Sequence, residues 1–170
     1  PLLVAAGANG HPVLRFDGSS SRIYLGDLSR YFPSGATLFV ATTINNNDAD
    51  YLLFGNSSFY ESPDHPMTFH ANAATFNPNL PQAGSYVFAL NSDNSVYNMV
   101  TNGTLVNSAA PGYNNGQGVN WTIGCMASGG YPLNGDIPEL ILYDHVLSST
   151  EAAQVGRYLA DKYGMSSYTA

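Results

Sequence analysis

From Val13 to Tyr143 the sequence is a succession of short apolar runs, each closed by Gly, Pro, Asn, Asp or Ser, and none keeps helical spacing. Such a chain buries its apolar residues only by stacking strands, so the pattern imposes a sandwich or barrel. The runs predict strands at 13–17, 22–26, 36–44, 50–55, 67–70, 73–76, 85–91, 95–101, 104–106, 119–126 and 135–144. Asp17-Gly18, Asn102-Gly103 and Asn134-Gly135 reach positive φ cheaply, so each is read as a chain reversal between strands. Residues 56–66, 77–84 and 107–118, rich in Pro, Gly and Asn, read as loops.

Alternation assigns faces. Trp121, Ile123 and Cys125 form an apolar side, while Asn120, Thr122 and Gly124 look the other way. The run Ile137 to Tyr143 is apolar on both faces apart from Glu139 and the preceding Asp136, which predicts a strand covered on both sides. A helix from Ser149 to Tyr163 supplies the cover. Ser148 and Glu151 have capping-box spacing, and Gly164 provides a left-handed stop. Ala152, Val155 and Leu159 fall on one stripe, with Arg157 and Asp161 on a more exposed side. At 170 residues the chain suits one domain, placed at 1–164, with 165–170 (MSSYTA) as a patternless tail.

Charge excludes some partners. Five Lys and Arg against twelve Asp and Glu give a net charge of -7, which repels phosphate backbones and argues against nucleic acid. No apolar run reaches the roughly 20 residues of a membrane helix, so no membrane insertion is expected. The start PLLVAAGANG lacks the basic first region of a signal peptide, and the chain is read as an excised domain or mature segment. The single cysteine, Cys125, lies in an apolar run and is read as a small buried hydrophobe, leaving the redox compartment open.

Two segments carry a family likeness: PVLRFDGSSSRIYL at 12–25, preceded by Asn9-Gly10, and LNGDIPELILYDHVLSSTEAAQVGRYLADKYG at 133–164. They resemble the opening and closing segments of the bacterial and phage branch of the laminin G-like, concanavalin A-like superfamily. The stretches 35–45, 51–56 and 95–106 are compatible with its sandwich strands. The resemblance implies an all-β, antiparallel two-sheet β-sandwich of the jelly-roll type with one C-terminal α-helix. It also implies a module of a larger extracellular, cell-surface or virion-surface protein, and leaves activity open, because this fold hosts binders, adhesion modules, enzymes and virion proteins.

Catalytic signatures are missing. A retaining glycosidase needs two carboxylates on one strand face, and Asp136 and Glu139, three apart, are expected on opposite faces. A lyase needs a cationic groove, for which Arg15, Arg22, Arg30, Arg157 and Lys162 are too scattered. His65 and His70 with Asp64 match no strong metal spacing, and His11 and His145 stand alone. Asn47, Asp48 and Asp50 group oxygen ligands, and the resemblance puts calcium at the rim where Asp17 and Asp136 fall. None has a glycine-punctuated calcium loop. Calcium is therefore the one cofactor carried forward, against the alternative of plain acidic turns. Asn56, Asn102 and Asn120 begin N-x-S/T sequons, the last two also explained by a turn and a strand edge.

Twelve tyrosines in a weakly charged chain point to a glycan, since sugar rings stack C–H faces on aromatics while hydroxyls bond amides and carboxylates. The candidate ligand residues are Tyr60, Glu61 and Asp64 in one loop, Tyr113, Asn114, Asn115 and Gln117 in a second, and Tyr131 in a third. Trp121, Tyr24, Tyr86 and Tyr143 are read as structural. The leading reading is a non-catalytic carbohydrate-binding or adhesion module. A structural or protein-interaction domain on a virion or cell surface is the alternative, and a glycoside hydrolase or polysaccharide lyase is the third.

Overall fold

The computed structural model describes residues 1–31, 34–45, 53–54, 57–59, 69–71, 74–76, 81, 83–93, 97–109 and 120–169. In chain order the strands are β1 Leu2–Ala8, β2 His11–Asp17, β3 Ile23–Gly26, β4 Gly35–Ile44, β5 Leu53–Phe54, β6 Ser57–Phe59 and β7 Phe69–Ala71. They continue as β8 Ala74–Phe76, β9 Gly84–Asp93, β10 Tyr97–Thr101, β11 Thr104–Ala109, β12 Trp121–Ile123 and β13 Asn134–Tyr143, followed by helix α1 Ser149–Tyr163. A seven-stranded sheet has the order β1-β2-β13-β4-β9-β10-β11, and two three-stranded sheets have the orders β3-β12-β5 and β6-β7-β8. Every strand pair is antiparallel.

Strand alternation builds two cores on either side of the large sheet. Leu38, Val40 and Ile44 of β4 and Tyr86, Phe88 and Leu90 of β9 face the small sheet, where Trp121 and Ile123 meet them together with Phe16 and Met99. The intervening Phe39 and Ala41 of β4 and Val87 and Ala89 of β9 point the other way, against Leu159, Ala160 and Tyr163 of α1. The result is an antiparallel β-sandwich with a helix laid on its second face. Complete burial of a side chain such as Phe88 or Leu159, both 0% exposed, contributes about 2 kcal/mol each.

The helix runs over the residues its sequence signals mark. Ser148 accepts the Glu151 N–H, the Glu151 carboxylate accepts the Ser148 N–H at 2.9 Å, and Gly164 closes the C-terminus at φ 68. Gly18 at φ 70, and Asn102 at φ 47 with Gly103 at φ 84, make the expected turns. Asn102 also anchors its own turn: its amide oxygen accepts the Val87 N–H at 2.8 Å, and its amide nitrogen donates to Ser167 Oγ at 2.8 Å.

Other expectations are corrected. Asn134-Gly135 is not a reversal but the start of β13, paired with Asp17 and Phe16; glycine is needed there because a Cβ would collide with the Thr43 carbonyl. Part of the segment read as the loop 56–66 is strand β6. Strand β1, in the Ala- and Gly-rich opening, has no alternation to announce it, and hairpin pairing with β2 makes it. The helix covers β4 and β9 more fully than β13, whose outer half stays only partly buried.

A bulge produces a further departure. The register of β13 against β4 shifts between Asp136 and Glu139. Ile137, within the shift, faces the sandwich interior, as do Leu140 and Leu142 after it. Asp136 and Glu139 therefore share the helix-side face instead of opposing each other. The segment after Gly164 is docked: Met165 is buried, Tyr168 lies over Gly156, and the Thr169 N–H donates to the Asn102 carbonyl at 3.0 Å.

Candidate functional site

Of the candidate ligand and calcium residues, Asp17, Asp136 and Tyr131 are described. Tyr60, Glu61, Asp64, Asn47, Asp48, Asp50, His65, Tyr113, Asn114, Asn115 and Gln117 lie outside the described residues. Asp17 ends β2 and turns the chain, its Oδ1 accepting the N–H groups of Ser19 at 3.0 Å and of Ser20 and Ser21 at 3.4 Å. Those donors, Ser19 first, hold its carboxyl well below the usual carboxylate range. Asp136 is buried and clamped on both oxygens by Arg15, at 2.8 and 2.7 Å. Both acids thus have local duties, and among the described residues no group of three or more His, Cys, Asp or Glu gathers to hold a metal.

Glu139 is similarly engaged. Its carboxylate accepts from Lys162 Nζ at 2.9 Å and Tyr163 Oη at 2.8 Å, with Tyr158 Oη at 3.3 Å. The cluster joins β13 to α1. Burial opposes ionisation of Glu139, but the Lys162 and Tyr163 bonds outweigh it and lower its pKa.

Tyr131 belongs to a different construction. Gly124, at φ 92, ends β12, since a Cβ there would strike the Phe16 ring. The chain then folds back on itself: Met126 N–H donates to the Gly130 carbonyl at 3.0 Å and Leu133 N–H to the Gly124 carbonyl at 2.7 Å. This compact loop carries Tyr131, 49% exposed and at φ 54, a left-handed conformation that a bulky residue adopts at a cost of about 1–3 kcal/mol.

Beside the loop runs β3. Ile23 and Leu25 point into the core, so Arg22 and Tyr24 share the outer face. Tyr24 is 56% exposed, yet its ring is fixed: the hydroxyl accepts Arg22 Nε–H at 2.7 Å and donates to the Ala127 carbonyl of the loop at 3.2 Å. The Arg22 guanidinium stacks 5.1 Å from the Tyr24 ring centroid and reaches toward Cys125 Sγ at 3.9 Å. Those contacts, with the Cys125 sulfur first and the Tyr24 hydroxyl next, raise its pKa further. Among the described residues Arg22 has no carboxylate partner. The outer face therefore presents an immobilised tyrosine ring, a cation with no carboxylate partner among the described residues, and an exposed loop tyrosine. Such a surface can stack a ring and bond an oxygen-rich ligand.

The sequence reading placed Tyr131 on an accessible loop and took Tyr24 as structural. Arg22 and Tyr24 were findable from one signal: in RIYL the two polar-tipped residues alternate with two aliphatic ones, which on a strand sends both outward.

No family model and no curated protein matches the sequence. Solved structures do match it in fold. The Ruminococcus gnavus IT-sialidase CBM40 bound to α2,3-sialyllactose superimposes with a TM-score of 0.64 at 19% identity, covering 85% of this chain and 96% of that one. NanB plus Optactamide, NanB being a sialidase of Streptococcus pneumoniae, gives 0.68 at 17% identity, covering 87% of this chain and 27% of that one. A mutant Trypanosoma rangeli sialidase with trans-sialidase activity gives 0.70 at 13% identity, covering 95% and 29%. The chain thus spans about a quarter of the two sialidases and nearly all of the CBM40 chain. At these identities the likeness is one of fold alone: an antiparallel β-sandwich with one C-terminal helix.

Proposed function

We propose that this chain is a non-catalytic carbohydrate-binding module of a larger extracellular, cell-surface or virion-surface protein, in the laminin G-like branch suggested by its terminal motifs. The observation that carries the reading is the outer face of β3 and the 124–133 loop, where Tyr24 and Tyr131 are exposed and Arg22 lacks a carboxylate partner among the described residues. A sugar ring would stack on the tyrosines while Arg22 meets a hydroxyl or carboxylate. Tyr60, Glu61, Asp64, Tyr113, Asn114, Asn115 and Gln117, which lie outside the described residues, are proposed as additional ligand contacts. The R. gnavus domain of matching length, a CBM40 bound to sialyllactose, supports the choice of first ligand.

Titration calorimetry with α2,3-sialyllactose and with lactose, each with and without calcium, followed by a glycan array, tests the proposal. Binding that falls at least tenfold in Arg22→Ala and Tyr24→Ala supports it. Absence of binding to every glycan, or binding unaffected by both substitutions, overturns it. A preference for sialyllactose over lactose would assign Arg22 to the carboxylate; equal binding would assign it to hydroxyls.

One observation favours a second reading, an interaction or spacer domain. Edge strand β1 is uncharged and exposes Leu2 at 67% and Leu3 at 68%, a row that another protein surface could cover. Native mass measurement of the chain and of Leu3→Lys separates this reading from the first.

A further inference from the structure

A groove of about 320 Å³ lies on the opposite side of the molecule from Tyr24, between α1 and strands β9 to β11. Its walls are apolar side chains such as Ala89, Val100, Leu105 and Ala153, and among the described residues none that lines it is charged. Two amides sit in its floor. Asn91 and Asn98 are directly opposite each other on β9 and β10. Alternation with the inward-facing Leu90 and Met99 turns both toward the helix side. The buried Oδ1 of Asn91 has no hydrogen-bond partner among the described residues. At the end of the groove Tyr168 is fixed over Gly156, its hydroxyl donating to the Ala153 carbonyl at 3.3 Å.

An apolar, uncharged groove repels ions, because no counter-charge offsets their desolvation. A buried acceptor without a partner carries an energetic penalty that a donor would relieve. We infer that this groove is a binding site for a small neutral molecule with a flat apolar body and one N–H or O–H donor directed at Asn91. The occupant is a separate ligand from the proposed glycan, and the two sites lie on opposite layers of the sandwich.

Indole serves as the probe, titrated into the whole chain by calorimetry and by amide NMR. The expected result is saturable one-to-one binding with shifts at Asn91, Asn98 and Leu105, weakened about tenfold or more for 1-methylindole, which lacks the donor. Ala153→Trp fills the groove and Leu105→Glu charges its exposed rim; each should weaken indole at least tenfold, with folding checked by circular dichroism. Arg22→Ala should leave indole binding unchanged, so failure here and failure of the glycan reading are distinguishable. Non-saturable binding, equal affinity for 1-methylindole, or parent-like binding by both groove variants would overturn the inference.

Discussion

Replacing Glu139 by glutamine measures how firmly the helix is tied to the sheet. The carboxylate is 25% exposed and holds three donors, of which buried Tyr163 at 2.8 Å and Lys162 at 2.9 Å are short. A charge-assisted bond to the buried tyrosine contributes about 1.5 kcal/mol, and the partly exposed lysine pair about 0.5 kcal/mol. Glutamine keeps one acceptor and loses the charge, so Glu139→Gln should cost about 1 kcal/mol, and Glu139→Ala about 2 kcal/mol. For a domain of this size those values lower Tm by about 3 °C and about 6 °C. The effect is pH-dependent. Glu139 ionises below its ordinary 4.5 in the folded chain, so its contribution is complete above that value and fades as acid protonates it. Thermal melts by circular dichroism of wild type and Glu139→Gln should differ near neutral pH and converge as the pH falls below the lowered pKa of Glu139. A gap that persists unchanged into acid, or no gap at neutral pH, would refute the account.

Leu159→Ala removes a fully buried side chain between α1 and the large sheet and should cost about 3 kcal/mol in a urea melt. Ser148→Ala deletes the helix cap and should cost about 1 kcal/mol, read by the same melt. Cys125 is 0% exposed, with its thiol donating to the Met126 carbonyl at 3.2 Å. It should stay unreactive to a thiol reagent in the native chain and react fully in denaturant, and rapid native labelling would contradict its burial in the loop after β12.

Legibility in the sequence followed the range of the forces involved. Helix α1 was readable to the residue, because capping by Ser148 and Glu151 and the stop at Gly164 are settled within one turn. Strands β4 and β9 were readable because long apolar runs have few other fates. Strand β1 was not, since its residues carry no alternation and its existence rests on pairing with β2. The bulge that brings Asp136 and Glu139 to one face was also invisible: it depends on register against β4, not on spacing along β13.

What the sequence determined alone is an antiparallel sandwich with one capped helix, because periodicity and turn chemistry act between near neighbours. Tertiary structure decided the rest: which carboxylates are spent on Arg15 and Lys162, and which cation and tyrosines remain on the outer face. Those outcomes depend on residues distant in sequence: Arg15 and Asp136, like Arg22 and Cys125, are more than a hundred positions apart, and Glu139 and Lys162 are 23 apart. Only the folded sheet brings such residues within bonding distance.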